Sequence, residues 1–207
     1  MHATLLSTSA RPHTFRWRVV DIVVASVVAV AAGVVFWIWG VVQNPISGPA
    51  AAVLPGFQGI LNGPWLFAGV LVALIVRKPG AALFGEVVAA TVSALIGTQW
   101  GFATLLSGVV QGLGAELVFA LFLYANWRLV PALLAGAGAG IAESILDLLY
   151  WYPGSKPEFV VVYTITTTIS GLVVAGLGSW LLVRALARTG ALSRFAAGRE
   201  AQKASRV

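Results

Sequence analysis

The carboxylates Glu86, Glu116, Glu143 and Asp147 lie inside strongly apolar stretches of this chain. A carboxylate at the centre of a bilayer costs roughly 2.5 to 3.5 kcal/mol on insertion scales, so each is expected to face protein or a water-filled cavity. Glu143 and Asp147 are four residues apart and Tyr150 follows three later, which puts all three on one helical face. Tyr163, Thr167 and Ser170 share a face in the next apolar stretch. Acids and aromatic rings at one depth make a cup for an organic cation, since both attract positive charge. The competing reading has Asp147 solvated at the membrane edge and the tyrosines in an interfacial belt.

Glu86 and Glu116 lie deeper, each roughly 10 Å from the cytoplasmic face at the rise of an α-helix. Similar depth on adjoining antiparallel spans would bring them together as a proton site, a ligand site or a structural hydrogen-bonded pair. Glu86, Ala90, Ser93 and Gly97 form one small, polar face with room for a ligand or a neighbouring helix. Gln111, near mid-membrane, offers both donor and acceptor to the edge of a heterocycle.

Other chemistry is excluded by what the chain lacks. It has no cysteine, and its two histidines, His2 and His13, lie in the polar N-terminal segment, so no metal centre or imidazole base is expected in the membrane. No GxxxxGK[ST], HExxH or GxSxG pattern occurs, so the chain is expected to be non-catalytic and free of cofactors.

These residues need a membrane scaffold. Of 207 residues, 59% are hydrophobic and 10% charged, and the mean hydropathy is +0.92, which excludes an ordinary soluble domain. Apolar runs are expected to span at about Val19 to Val42, Trp65 to Val76, Ala81 to Ile96, Phe102 to Tyr124, Leu129 to Leu149 and Phe159 to Val183. The first run is too long for a signal peptide and is expected to be retained. Residues 43–64 hold four prolines and four glycines, which argues for a long outer loop, some of it folded back into the protein.

The expected fold is an all-α integral membrane protein with six transmembrane helices: a segment 1–18, a membrane domain 19–186 and a basic tail 187–207. Of the 13 Lys and Arg, all but Lys156 then fall on one side, which makes both termini cytoplasmic. The net charge of +6 is explained by this topology without nucleic acid. Trp37, Trp39, Trp100, Trp151 and Tyr152 fall near the outer boundary. Small residues recur at helical spacing: Ala25, Ala29 and Gly33 in the first span, Gly136 and Gly140 in the fifth, Gly171, Ala175 and Gly178 in the sixth. Such stripes let helices approach closely, within the chain or against a partner.

The run RKPGAALFGEVVAATVSALIGTQWG, followed by VVQGLGAELVFALF, resembles the YkoE-type substrate-binding (S) components of energy-coupling factor (ECF) transporters, associated with thiamine and its hydroxymethylpyrimidine precursor. The likeness runs from about Trp17 to the end of the sixth span. It implies a vitamin-capture subunit in the lipid bilayer of a prokaryotic cell membrane, working with a transmembrane coupling protein and two cytoplasmic ATPases. It also implies that residues 43–64 gate the site and that Ala25, Ala29 and Gly33 meet the coupling protein. Gln99 and Trp100 of the GTQWG turn, with Trp151, complete the ligand-binding candidates. The tail from 187 has no counterpart and is expected to be a flexible extension. Two other functions fit the same pattern: a proton-driven carrier using Glu86 and Glu116 as a relay, and a structural subunit whose acids hold helices together.

Overall fold

A computed structural model describes residues 15–199, and every regular element among them is helical. His2, His13, Arg11, Lys203 and Arg206 lie outside the described residues. Four helices are long and apolar enough to cross a membrane: α1 (Val19–Val53), α4 (Ala103–Leu121), α5 (Leu129–Tyr150) and the continuous run Pro157–Arg188. That last run comprises α6 (Pro157–Ser170), a π-helical stretch over Gly171–Gly178, and α7 (Ser179–Arg188). Two shorter apolar helices, α2 (Phe67–Val76) and α3 (Ala81–Ile96), complete the bundle.

The sequence FAGVLVALIV is apolar all round, and α2 is accordingly buried on every side from Ala68 to Val76, at the centre of the bundle. Being so short, α2 starts well inside the protein, and its first amides have no water to bond. Glu86 of α3 supplies a partner, its Oε2 accepting the Gly69 amide at 2.5 Å. The same device recurs one helix later. The Glu116 carboxylate of α4 accepts the amides of Gly80, Ala82 and Leu83 at 2.5, 2.8 and 3.3 Å and so caps the start of α3. Glu86 and Glu116 therefore do not pair; each holds the N-terminus of a different short helix.

Small residues set the helix spacing. A Cβ at Gly136 would stand 2.3 Å from the Gly171 carbonyl oxygen, where α5 meets the π-helical stretch. The stripe on α1 does the same work inside the chain. Ala25 and Ala29 are buried, and a Cβ at Gly33 would stand 2.6 Å from the Ala89 carbonyl of α3. This corrects the expectation that Ala25, Ala29 and Gly33 face a coupling protein: the face that α1 turns outward carries Ile22, Val23, Val27, Val30 and Val34.

Two other expectations change. The first helix runs eleven residues beyond Val42, through Pro45 and Pro49, to Val53. Proline removes a ladder bond, but Val41 and Pro45, whose carbonyls are left without an amide, are both exposed, so these carbonyls are not trapped in the core. The start of the basic tail is not free either: Leu192, Phe195 and Ala197 are buried in the cluster that holds Val183 and Ala187. Their apolar side chains fold the segment back against the bundle.

Candidate ligand-binding cavity

The segment after α1 folds back as two short 3-10 turns, Phe57–Leu61 and Gly63–Trp65. It lies against α6, where three glycines leave no gap. A Cβ at Gly56, Gly59 or Gly63 would stand 2.8, 2.5 or 2.4 Å from atoms of that helix. Hydroxyls complete the seat: Ser170 Oγ accepts the Gly63 amide at 3.0 Å and donates to the Ile60 carbonyl at 2.5 Å, and Thr166 Oγ1 donates to the Gly56 carbonyl at 3.1 Å.

Asn62, between the two turns, is thereby pushed toward α5. Its Nδ2 lies 2.9 Å from Tyr163 Oη and 3.3 Å from Asp147 Oδ2, while Tyr163 Oη donates to the same carboxylate oxygen at 2.6 Å. One turn earlier on α5, Glu143 stands beside Gln111 and Ser107 of α4. Glu143 and Asp147 are each only 7% exposed. Both face a cavity of about 380 Å³, which no Lys, Arg or His among the described residues lines.

Aromatic rings close the remaining sides. Trp65 meets Trp100 edge to face at 5.2 Å and Trp39 at 6.4 Å, and its indole nitrogen donates to the Phe36 carbonyl at 3.1 Å. Tyr152 and Phe159 pack on Tyr163 at 5.3 and 5.6 Å. Two buried polar atoms of the lining, Glu143 Oε2 and Thr104 Oγ1, have no hydrogen-bond partner. An unmet acceptor in a buried acidic hollow can take a hydrogen bond from a donor on a ligand. The arrangement suits a cation with a flat, hydrogen-bonding ring.

Seven of the expected residues meet at this cavity: Gln99, Trp100, Gln111, Glu143, Asp147, Trp151 and Tyr163. Three do not. Glu86 and Glu116 are helix caps, as above, and Tyr150 is 57% exposed with its ring edge-on to Trp151. Tyr152, expected only near the outer boundary, lines the cavity beside Trp100 and Trp151. The sequence reading missed Asn62, Trp65, Gln58 and Thr104. Gln58 and Asn62 were detectable as the two side-chain amides, one helical turn apart, in the otherwise apolar stretch 54–65.

Known proteins place this geometry. A crystal structure described as an S-component of an ECF transporter superposes with a TM-score of 0.85 at 33% identity, covering 92% of this chain and 96% of that one. The profile of a family described as the permease component of ABC-type cobalt transport systems matches residues 20–142. The putative HMP/thiamine permease protein YkoE of Bacillus subtilis (strain 168) is 35% identical over 188 residues, 90% of this chain and 93% of that protein. Fold and cavity thus define a multi-pass membrane protein of the S-component class of ECF transporters. Within that class the chain belongs to the YkoE-type family.

Proposed function

We propose that this chain captures thiamine or its hydroxymethylpyrimidine precursor from outside the cell and delivers it through an ECF transporter. The observation that carries this reading is the buried cavity, where Glu143 and Asp147 stand among aromatic rings with no basic residue in the lining. Such a hollow favours a cation with a planar heterocycle over an anion. The Bacillus subtilis relative, named a putative HMP/thiamine permease, agrees with it.

The chain itself is the non-catalytic subunit, and ATP hydrolysis falls to two cytoplasmic ATPases joined through a transmembrane coupling protein. Six crossings suit this role, with residues 57–76 together making the second and both termini in the cytoplasm. In support, Arg16, Arg77, Arg128 and Arg188 gather at one end of the helices and Lys156 at the other. A proton relay through Glu86 and Glu116 finds no support, because the two cap different helices.

The test is a titration of the purified protein with thiamine, following its eight tryptophans. Trp65, Trp100 and Trp151 line the cavity and should report occupancy. Saturable quenching at sub-micromolar thiamine is expected; no response to thiamine or hydroxymethylpyrimidine at millimolar concentration would refute the assignment.

A further inference from the structure

The helical run Pro157–Arg188 has 32 residues, more than a bilayer needs. A hydrocarbon core of ~30 Å takes about 20 residues of helix, so α7 continues into the headgroup layer, with Arg184 about 40 Å along the run from Pro157. The side chains change at that depth. Leu181 and Leu182 are exposed, and Arg184 and Arg188, exposed as well, follow on the face of Leu181. The Arg184 guanidinium sits 4.5 Å from the centre of the Trp180 ring, a pairing of the kind found at a membrane surface.

The chain then reverses. Gly190, at φ 82°, takes the left-handed conformation that ends a helix, and its amide donates to the Ala187 carbonyl at 3.3 Å. Two more tight turns follow, Ser193 N to the Gly190 carbonyl at 3.0 Å and Phe195 N to the Leu192 carbonyl at 2.9 Å. They bury Leu192 and Phe195 in the cluster that holds Val183, Ala187 and Trp127. A Cβ at Gly198 would overlap the Leu192 carbonyl, so the fold-back closes only because that residue is glycine. With the apolar side chains turned inward, Arg194 and Arg199 are left exposed, and Arg199 Nη1 donates to the Arg194 carbonyl at 2.9 Å.

These arginines lack anionic partners. Among the described residues no carboxylate pairs with Arg184, Arg188, Arg194 or Arg199, and the acids at this end are already held: Asp21 by Arg18 and Lys78, Glu116 by the amides of α3. We infer that the fold-back 184–199 is a seat for the headgroups of anionic phospholipids, with these arginines as its phosphate ligands and Leu192 and Phe195 as the pins that hold them in place. A guanidinium binds phosphate through paired hydrogen bonds, and arginines fixed by a buried pin lose less freedom on binding than those of a loose tail. The leaflet is the cytoplasmic one in the topology proposed above, and the seat is independent of what the cavity holds.

The absence of cysteine lets a single label report on the seat. Ser193 is exposed within the fold-back, so Ser193→Cys in the full chain takes a fluorophore there. The protein is placed in phosphatidylcholine nanodiscs, whose leaflets are alike, so the result does not depend on orientation. Quenching is compared between trace phosphatidylglycerol and trace phosphatidylcholine, each spin-labelled near the headgroup. Phosphatidylglycerol should be favoured about fivefold or more. Changing Arg184, Arg188, Arg194 and Arg199 together to Gln should bring the ratio close to one, whereas Arg128→Gln, in the α4–α5 turn at the same end, should leave most of it. Leu192→Gln with Phe195→Gln keeps every charge but frees the segment, and should at least halve the preference. No preference in the parent protein, or one that survives the arginine changes, would overturn the inference. A preference untouched by loss of the pins would overturn it too, by reducing the effect to net charge. Millimolar inorganic phosphate at constant ionic strength should not abolish the preference; if it did, the arginines would belong to a soluble phosphate and the lipid seat would fall. The arginines are exposed, so that variant keeps the fold and decides the matter even if the pin variant does not.

Discussion

Tyr163 and Asp147, on neighbouring helices, share a 2.6 Å hydrogen bond in which the phenol donates to the carboxyl oxygen. The bond fixes where the acid of the cavity points, and Asn62 reinforces it from the re-entrant turns. Tyr163→Phe keeps the ring contacts with Tyr152 and Phe159 but leaves Asp147 with Asn62 alone, at 3.3 Å. A buried hydrogen bond of this kind contributes about 1–3 kcal/mol. The variant should therefore lose roughly tenfold in thiamine affinity by tryptophan titration, with a lowered thermal midpoint. A lowered midpoint with full affinity would make the pair structural only.

Glu143 has one buried carboxyl oxygen, Oε2, with no partner. Glu143→Gln preserves volume and removes the capacity for negative charge. Affinity for thiamine, a cation, should fall by about tenfold or more, and affinity for neutral hydroxymethylpyrimidine by distinctly less. Equal losses for the two ligands would show that Glu143 contributes a hydrogen bond and no charge selectivity.

Much of the scaffold was legible because its signals are local. The third expected span, Ala81 to Ile96, is α3, and the fifth differs from α5 by one residue, since glycine, proline and arginine bound both runs. The spacing of Glu143 and Asp147 likewise needed only a helical period. What could not be read depends on distant parts of the chain meeting. Asn62 joins the site because its segment folds onto helices 85 and 101 residues away. Pro45 and Pro49 predict a helix end, yet α1 continues through them where its backbone is exposed. Small residues on α1 marked a close approach correctly in kind, but nothing in their spacing says whether the neighbour is α3 or another protein.

Glu116 separates stability from binding. Its carboxylate caps α3 through three amides, and Tyr124, just beyond α4, lies beside it. Glu116→Ala should destabilise the protein by about 1–2 kcal/mol, the range for losing a helix cap, read as a lower thermal midpoint in detergent. Thiamine affinity of the folded fraction should be unchanged, because Glu116 is remote from the lining. A selective loss of affinity would instead assign Glu116 to the ligand.

At the opposite end from the cavity mouth, one of the charges that sets topology is also a structural part. Lys78 of the basic turn is 8% exposed and its Nζ lies 2.7 Å from Asp21 Oδ2; Asp21 also receives Arg18 at 2.7 Å. The ammonium further donates to the Arg16 carbonyl, and Trp17 Nε1 donates to the Pro79 carbonyl at 3.0 Å, so the α2–α3 turn is fastened to the start of α1. Removing one member of a buried ion pair strands the other, at a cost of about 3 kcal/mol, whereas replacing both with neutral groups leaves no orphan charge. Asp21→Asn and Lys78→Met should each lower the thermal midpoint clearly, and the double variant should lower it by less than their sum. Strict additivity in that cycle would mean that Arg18, which is half exposed, already satisfies Asp21 and that Lys78 holds the turn through the Arg16 carbonyl alone.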